Sequence, residues 1–370
     1  MIQSLRIANS KTQYIPNIFP VRLNFNSVFK FILAIIIIFG NQLGLAKPMV
    51  LTAKEFKNPP SRIIRSCCSF GANLHLMVIP AIKISDITSI EKVGPHKYLG
   101  SNREGNGVIY TKRGGFIDLG HLRDQADWTA FLYSTILLNK EKGNVKLNLG
   151  IEGGKKSVNI KWSKDMDSLD LLHLAGKVTY DLSVWHEIGT WYGTSYVPLM
   201  PERYSSFSIE DIYSNLTGVT LGMEALKSNM PYEQAMTHLL AEKLRQLEVV
   251  KTEKETFDAY EATRNIWWSR DYRLPSKKIL LKHQCEAYPG AKPWLVPSKG
   301  DTILPCNLTL IDKTMSGQPL NDFYEFKIKL NVKLLEKKNI RKLNKKVITQ
   351  NDFMSILKDI ELEMAEEFKS

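Results

Sequence analysis

Apolar residues recur at intervals of three and four from Leu119 to Leu138, in LGHLRDQADWTAFLYSTILL, and that spacing predicts a helix. His121, Asp124, Gln125, Trp128 and Leu132 share one of its faces. The rhythm then changes to strict alternation in KLNLGIEGGKKSVNIKW, on both sides of Gly153-Gly154, which predicts a β-hairpin whose turn needs positive φ. Helical spacing returns from about Ser168 to Tyr192, with Leu172, Ala175, Thr179, Leu182, His186 and Gly189 as its inward stripe. Small residues beside His186 would let a neighbouring backbone come close. A third helix is expected after YSSF, with Ser208 as N-cap and Asp211 completing a capping-box spacing. Its line Asp211, Asn215, Gly218, Gly222 is polar and then small.

Further along, NMPYEQAMTHLLAEKLRQLEVV reads as an amphipathic helix with Pro231 near its first turn. Another helix is predicted over Glu253 to Arg270, packed by Trp267-Trp268. FYEFKIKLNV alternates as a half-buried strand, and DFMSILKDIELEMAEEF closes the chain as a helix. Before residue 117 the chain is rich in glycine and β-branched residues, with short apolar runs at Leu76 to Ile84 and Val108 to Tyr110 that read as strands. The expected fold class is therefore α+β: a central helical region over about 119–250 containing a β-hairpin, flanked by β-containing segments. No interior linker divides residues 61–370, which are read as a single α+β domain.

Composition changes this picture at the N-terminus. NSVFKFILAIIIIFGNQLGLA places Lys30 ahead of an apolar run and ends in the small-x-small triplet Gly44-Leu45-Ala46. The run is roughly 11 residues, short of the about 20 that a membrane helix needs, so residues 1–46 are expected to be a signal peptide and 47–60 a linker. Export to the periplasm or cell envelope follows as the expectation, with retention as an uncleaved anchor the alternative. The chain carries 50 Lys and Arg against 38 Asp and Glu, or +12. Residues 1–46 hold Arg6, Lys11, Arg22 and Lys30 and no acid, so the mature chain keeps 46 minus 38, or +8. Much of that excess lies in KIKLNVKLLEKKNIRKLNKK, from Lys327 to Lys346. No zinc-finger, RRM or P-loop pattern accompanies it, so nucleic acid is not the expected partner; an envelope substrate or an anionic membrane or polymer surface is. Of four cysteines, Cys285 and Cys306 are the easiest to close as a disulfide across a turn-rich segment, leaving the adjacent Cys67 and Cys68.

The stretches SRIIRSCCSFG, KISDITSIEKVGPHKYLG, GGFIDLGHLRDQADW, WHEIGTWYG and FSIEDIYSNLTG resemble a family of exported bacterial proteins that contain a domain of unknown function. The resemblance covers roughly residues 59 to 330 and implies no catalytic residues, so candidate chemistry rests on the side chains themselves. His186-Glu187 opens like the HExxH motif of zinc peptidases, but Thr190 stands where the second His belongs. A zinc site remains open if His121 supplies the second nitrogen and Asp211 or Glu210 an oxygen, with Glu187 as general base. Asp124, Glu210 and Asn215 are then supporting residues. A metal-free alternative uses His121 or His186 as base, oriented by Asp124 or Asp211, with Ser183, Ser195 or Ser208 as nucleophile. In a purely structural alternative His186 is a core residue bonded to Asn215 or Asp211. Glu187 then needs solvent, a metal, or a cation such as Arg123, because an unpaired buried carboxylate costs several kcal/mol. The favoured expectation is a metal-dependent hydrolase of the envelope with zinc as cofactor; the rival is a non-catalytic binding module with a basic C-terminal surface.

Overall fold

A strand feeds directly into the central helix. In the computed structural model, β1 (Val108–Thr111) pairs antiparallel with β2 (Gly115–Asp118), and Asp118 is at once the end of β2 and the N-cap of α1 (Leu119–Leu138). The described residues are 58–65, 87–164, 166–194, 202–269, 280–281, 285, 288–297, 303–331 and 345–367. All belong to one compact unit, Ala46–Ser370. The expected signal segment, residues 47–57 of the expected linker, Cys67, Cys68, the Leu76 to Ile84 strand and Ser195 lie outside the described residues.

After α1 come the hairpin strands β3 (Asn144–Ile151) and β4 (Gly154–Lys161), then α2 (Ser168–Trp191) and α3 (Asp211–Lys227). Next are α4 (Tyr232–Gln246), α5 (Glu253–Ala262), and the short pair β5 (Trp268–Ser269) and β6 (Leu280–Leu281). The chain ends in β7 (Tyr324–Leu330), β8 (Val347–Ile348) and α6 (Phe353–Glu367). The main sheet is antiparallel in the order β3-β4-β7-β8, so among the described residues β3 is an edge strand. Its inner face carries Val158, Ile160, Tyr324, Phe326 and Ile328, all buried, and Phe326 stacks on Phe353 of α6. Each such apolar side chain contributes about 1.5–3 kcal/mol by leaving water, and this fixes the strand register that the alternation predicts.

Helices α1 and α2 are buried around almost their whole circumference rather than on one stripe. The α1–α3 crossing explains the small residues after Asn215. A Cβ on Gly218 would lie 2.0 Å from the Leu122 carbonyl oxygen, and one on Gly222 would lie 2.9 Å from Ala126 Cα. With no side chain in the seam, the two helices approach closely enough for their first turns to share a site.

Four local expectations are corrected. Ser208 does not cap α3: its hydroxyl donates to Glu210 Oε2 at 2.6 Å, and Glu210 takes the N-cap position without a side-chain cap bond. Asp211 turns to His121 instead of completing a capping box. The helix expected to reach Arg270 ends at Ala262, because Asn265 adopts φ 62° and reverses the chain. Trp268 then stacks on Tyr260 at 4.1 Å and donates from Nε1 to the Tyr260 carbonyl at 3.0 Å, so Trp267 and Trp268 do pack, beyond the helix rather than within it. Cys285 and Cys306 are not bonded to each other. Cys285 Sγ lies 3.9 Å from the Leu357 carbonyl on α6, while the Cys306 amide donates to the Arg113 carbonyl and holds that segment beside β1.

Candidate metal centre

Asp118, His121 and Asp211 bring one ligand atom each within 4.8 Å of one another. The sequence makes this convergence locally. Asp118 accepts from the His121 amide at 2.9 Å, which starts α1 and sets the imidazole one turn above the carboxylate. Ser214 of α3 accepts from the Asp118 amide at 2.9 Å, tying the strand end to the helix that carries Asp211. His121 Nδ1 then lies 2.8 Å from Asp211 Oδ1.

Two more carboxyl groups, Glu187 and Glu210, belong to the same buried cluster. Among the described residues no Lys or Arg pairs with any of these four acids. The consequence is visible in their protonation. Burial first, and then the charge of Asp211, pushes the Glu187 carboxyl up to about 7 and the Glu210 carboxyl well above the usual carboxylate range. Burial raises Asp118 as well, opposed by His121. Glu187 Oε2 accepts from the Phe207 amide at 2.7 Å, whereas its Oε1 is buried without a hydrogen-bond partner, as is Asp118 Oδ2. Two orphaned acceptor oxygens and a surplus of carboxyls over cations are what a site for a small cation leaves when described without one. The residues present therefore form a group that could hold a metal ion through Asp118, His121 and Asp211.

The expected ligand set is thus revised. His121 and Asp211 meet, but the third member is Asp118, and His186 is not in the triad. The His186 ring stands edge-on to His121 at 6.4 Å, and its Nδ1 lies 2.6 Å from Glu152 Oε1 in the hairpin turn. It is bonded neither to Asn215 nor to Asp211, as the structural alternative required. Lys156 holds the other oxygen of Glu152 at 2.5 Å, and although burial alone would raise it, Lys156, the hydrogen bond with His186 and the charge of Arg62 keep the Glu152 carboxyl far below its usual range. Asp124 does not support the site either. It turns instead to the 58–65 segment, where it accepts from the Ile64 amide at 2.8 Å and from Arg65 Nη1 at 2.9 Å. Arg123 does not reach Glu187; its guanidinium is spent on the Val93, Gly94 and Gly105 carbonyls and on Asn106.

Residues 54–297 match the family described as Protein of unknown function (DUF4056). The chain belongs to that family. Searches of curated proteins and of solved structures each found no match. The DUF4056 region contains all of the triad together with Glu187, Glu210, His186 and Glu152, whereas β7, β8 and α6 lie beyond it. A groove of about 460 Å³, which none of the triad residues lines, runs between the DUF4056 residues 58–63, the β3–β4 turn and the end of α2, with His186 and Thr190 in its wall. A second cavity, of about 10 Å³, is lined by residues that include Glu187, Ser183, Asn215 and Tyr288, which is room for one water. Sequence reasoning missed Asp118 and Glu152. The first had a signal, since FIDLGH puts an N-cap acid three residues before His121; the second had none without the hairpin's placement against α2.

Proposed function

We propose that this chain is a metal-dependent hydrolase of the bacterial cell envelope, with a divalent transition ion held by Asp118, His121 and Asp211. The observation that carries this reading is the buried triad beside a Glu187 carboxyl whose Oε1 is orphaned and whose pKa is lifted to about 7. When bound, the ion would supply a Lewis acid and a water of lowered pKa. The rest falls to the protein. The Phe207 amide fixes Glu187 through Oε2, so Oε1 is the atom left to take and return a proton near neutral pH. Glu152 orients the His186 ring at the boundary between the groove and His121, where substrate would enter. One imidazole with two carboxylates is a harder donor set than the two-histidine site expected from the sequence, and it suits zinc or manganese. Export rests on the pattern that ends at Gly44-Leu45-Ala46.

The rival role as an anionic-surface module gains no observation of its own. Lys337 and Lys338 lie outside the described residues, and Lys345 is paired with Asp352. The deciding experiment has two parts. Elemental analysis after loading with zinc or manganese is expected to give one ion per chain. Hydrolysis of envelope peptides by the loaded protein is expected to fall about 100-fold or more in Glu187→Gln, which keeps the ion. A protein that takes up neither ion contradicts the reading.

A further inference from the structure

Resting on that reading only for the location of the reaction, we infer that the groove beside His186 binds an extended peptide by its free carboxylate, and that Arg62 is the residue that recognises it. Arg62 lines the groove and makes no ion pair among the described residues. The other permanent cation there, Lys156, is already neutralised by Glu152 at 2.5 Å, and Glu152 also holds His186. Arg62 is thus the permanent cation of this wall that no acid contacts directly among the described residues, although its field reaches Glu152 and helps to lower that carboxyl, and Glu202 also lines the groove. With its amide turned toward the guanidinium, Gln125 accepts from Nη1 and Nη2 of Arg62 at 3.1 and 3.2 Å. A neutral partner of this kind orients the fork without cancelling its charge.

The backbone that carries Arg62 is clamped on both sides. Ser61 accepts from Trp128 Nε1 at 3.1 Å, and the Ile64 amide donates to Asp124 at 2.8 Å. Arg65 is buried in ion pairs with Asp124 at 2.9 Å, Asp127 at 3.0 Å and Glu104 at 2.7 Å. This network, which plays no part in the metal centre, fixes the strap that presents Arg62, and a preset cation binds more tightly because less freedom is lost. Opposite the strap lies the end of edge strand β3, where a Cβ on Gly150 would meet nothing within 4 Å. An open strand edge offers main-chain groups to an extended peptide, and this favours a peptide over a lipid or a free anion.

The test uses the full chain and two probes, acetyl-trialanine as free acid and as C-terminal amide, titrated calorimetrically into zinc-loaded and chelator-treated protein. The free acid is expected to bind about tenfold more tightly than the amide, as one charge-assisted bidentate pair would give. Arg62→Gln is expected to bring the acid to the level of the amide, and Arg62→Lys to fall between, with unchanged thermal melts showing that both variants fold. Equal binding of acid and amide, no binding of either at millimolar concentration, or a preference that survives in Arg62→Gln each overturns the inference. So does displacement of the acid by an equal concentration of inorganic phosphate, which would mark a general anion site. Because the preference requires no ion, its persistence in a protein that takes up no metal would overturn the metal reading alone.

Discussion

His121 Nδ1 on α1 and Asp211 Oδ1 on α3 lie 2.8 Å apart, although the two residues belong to helices separated in sequence by the hairpin and all of α2. Their meeting defines which variants lose metal. His121→Ala and Asp118→Asn are expected to abolish stoichiometric zinc or manganese uptake, since two remaining ligands hold such ions poorly. His186→Ala is expected to retain uptake, because His186 is engaged by Glu152 instead. Elemental analysis of the three purified variants distinguishes this set from the His121, His186 and Asp211 set that the sequence suggested.

The raised Glu187 pKa sets the pH dependence of the metal-free protein. The unfolded chain releases this proton near 4.5 and the native chain near 7. Between those values the native state binds more protons, so the stability contribution is present below pH 4.5 and is lost as pH rises through about 7. Glu187→Gln is expected to flatten that part of the curve and to stabilise the chelator-treated protein at pH 8 by about 1–3 kcal/mol. In the metal-loaded protein the same substitution should bring no such gain. Denaturant titrations at pH 5 and 8, with and without chelator, measure it.

Gly218→Ala is expected to cost about 2–3 kcal/mol, because a Cβ 2.0 Å from the Leu122 carbonyl forces α1 and α3 apart. The same shift separates His121 from Asp211, so metal affinity should fall along with the melting temperature. A melt that drops while metal affinity stays unchanged would show that the crossing does not set the site.

Asp124→Asn separates the Arg65 network from the metal centre. It removes one partner from the buried Arg65 network and is expected to destabilise by about 3 kcal/mol while leaving metal stoichiometry at the wild-type value. Chemical denaturation paired with elemental analysis reads both.

The elements legible in the sequence were those whose periodicity is caused by burial. The alternation of Tyr324, Phe326 and Ile328 was readable because only that side of the strand is buried, and Leu119–Leu138 was readable from its apolar spacing even though His121, Arg123, Asp124, Gln125 and Asp127 are buried there as well. The α5 boundary was not, because a single left-handed residue, Asn265, ends the helix against no change in composition. Ser208 had the right spacing for a cap, but its hydroxyl is more strongly claimed by Glu210 in a buried acidic cluster, a tertiary fact. His121 and Asp211 were found as isolated residue types, and their pairing was left open because it depends on the glycine seam. Asp118 was overlooked because a residue at a strand–helix junction falls between two periodicities and stands out in neither.

Asp118 closes β2, starts α1 and offers the orphaned Oδ2 to a cation, so one side chain links ion occupancy to the opening of the hairpin that precedes it. Any ion drawn to that oxygen also restrains the β1–β2 ladder, in which Val108 pairs with Asp118. The free energy of binding therefore reappears as slower amide hydrogen exchange at Val108 to Asp118, a part of the chain with one ligand at its very end. Metal scarcity would then loosen the hairpin before it unfolds the helices, and the amount of free ion in the surroundings would be written into the lifetime of two short strands.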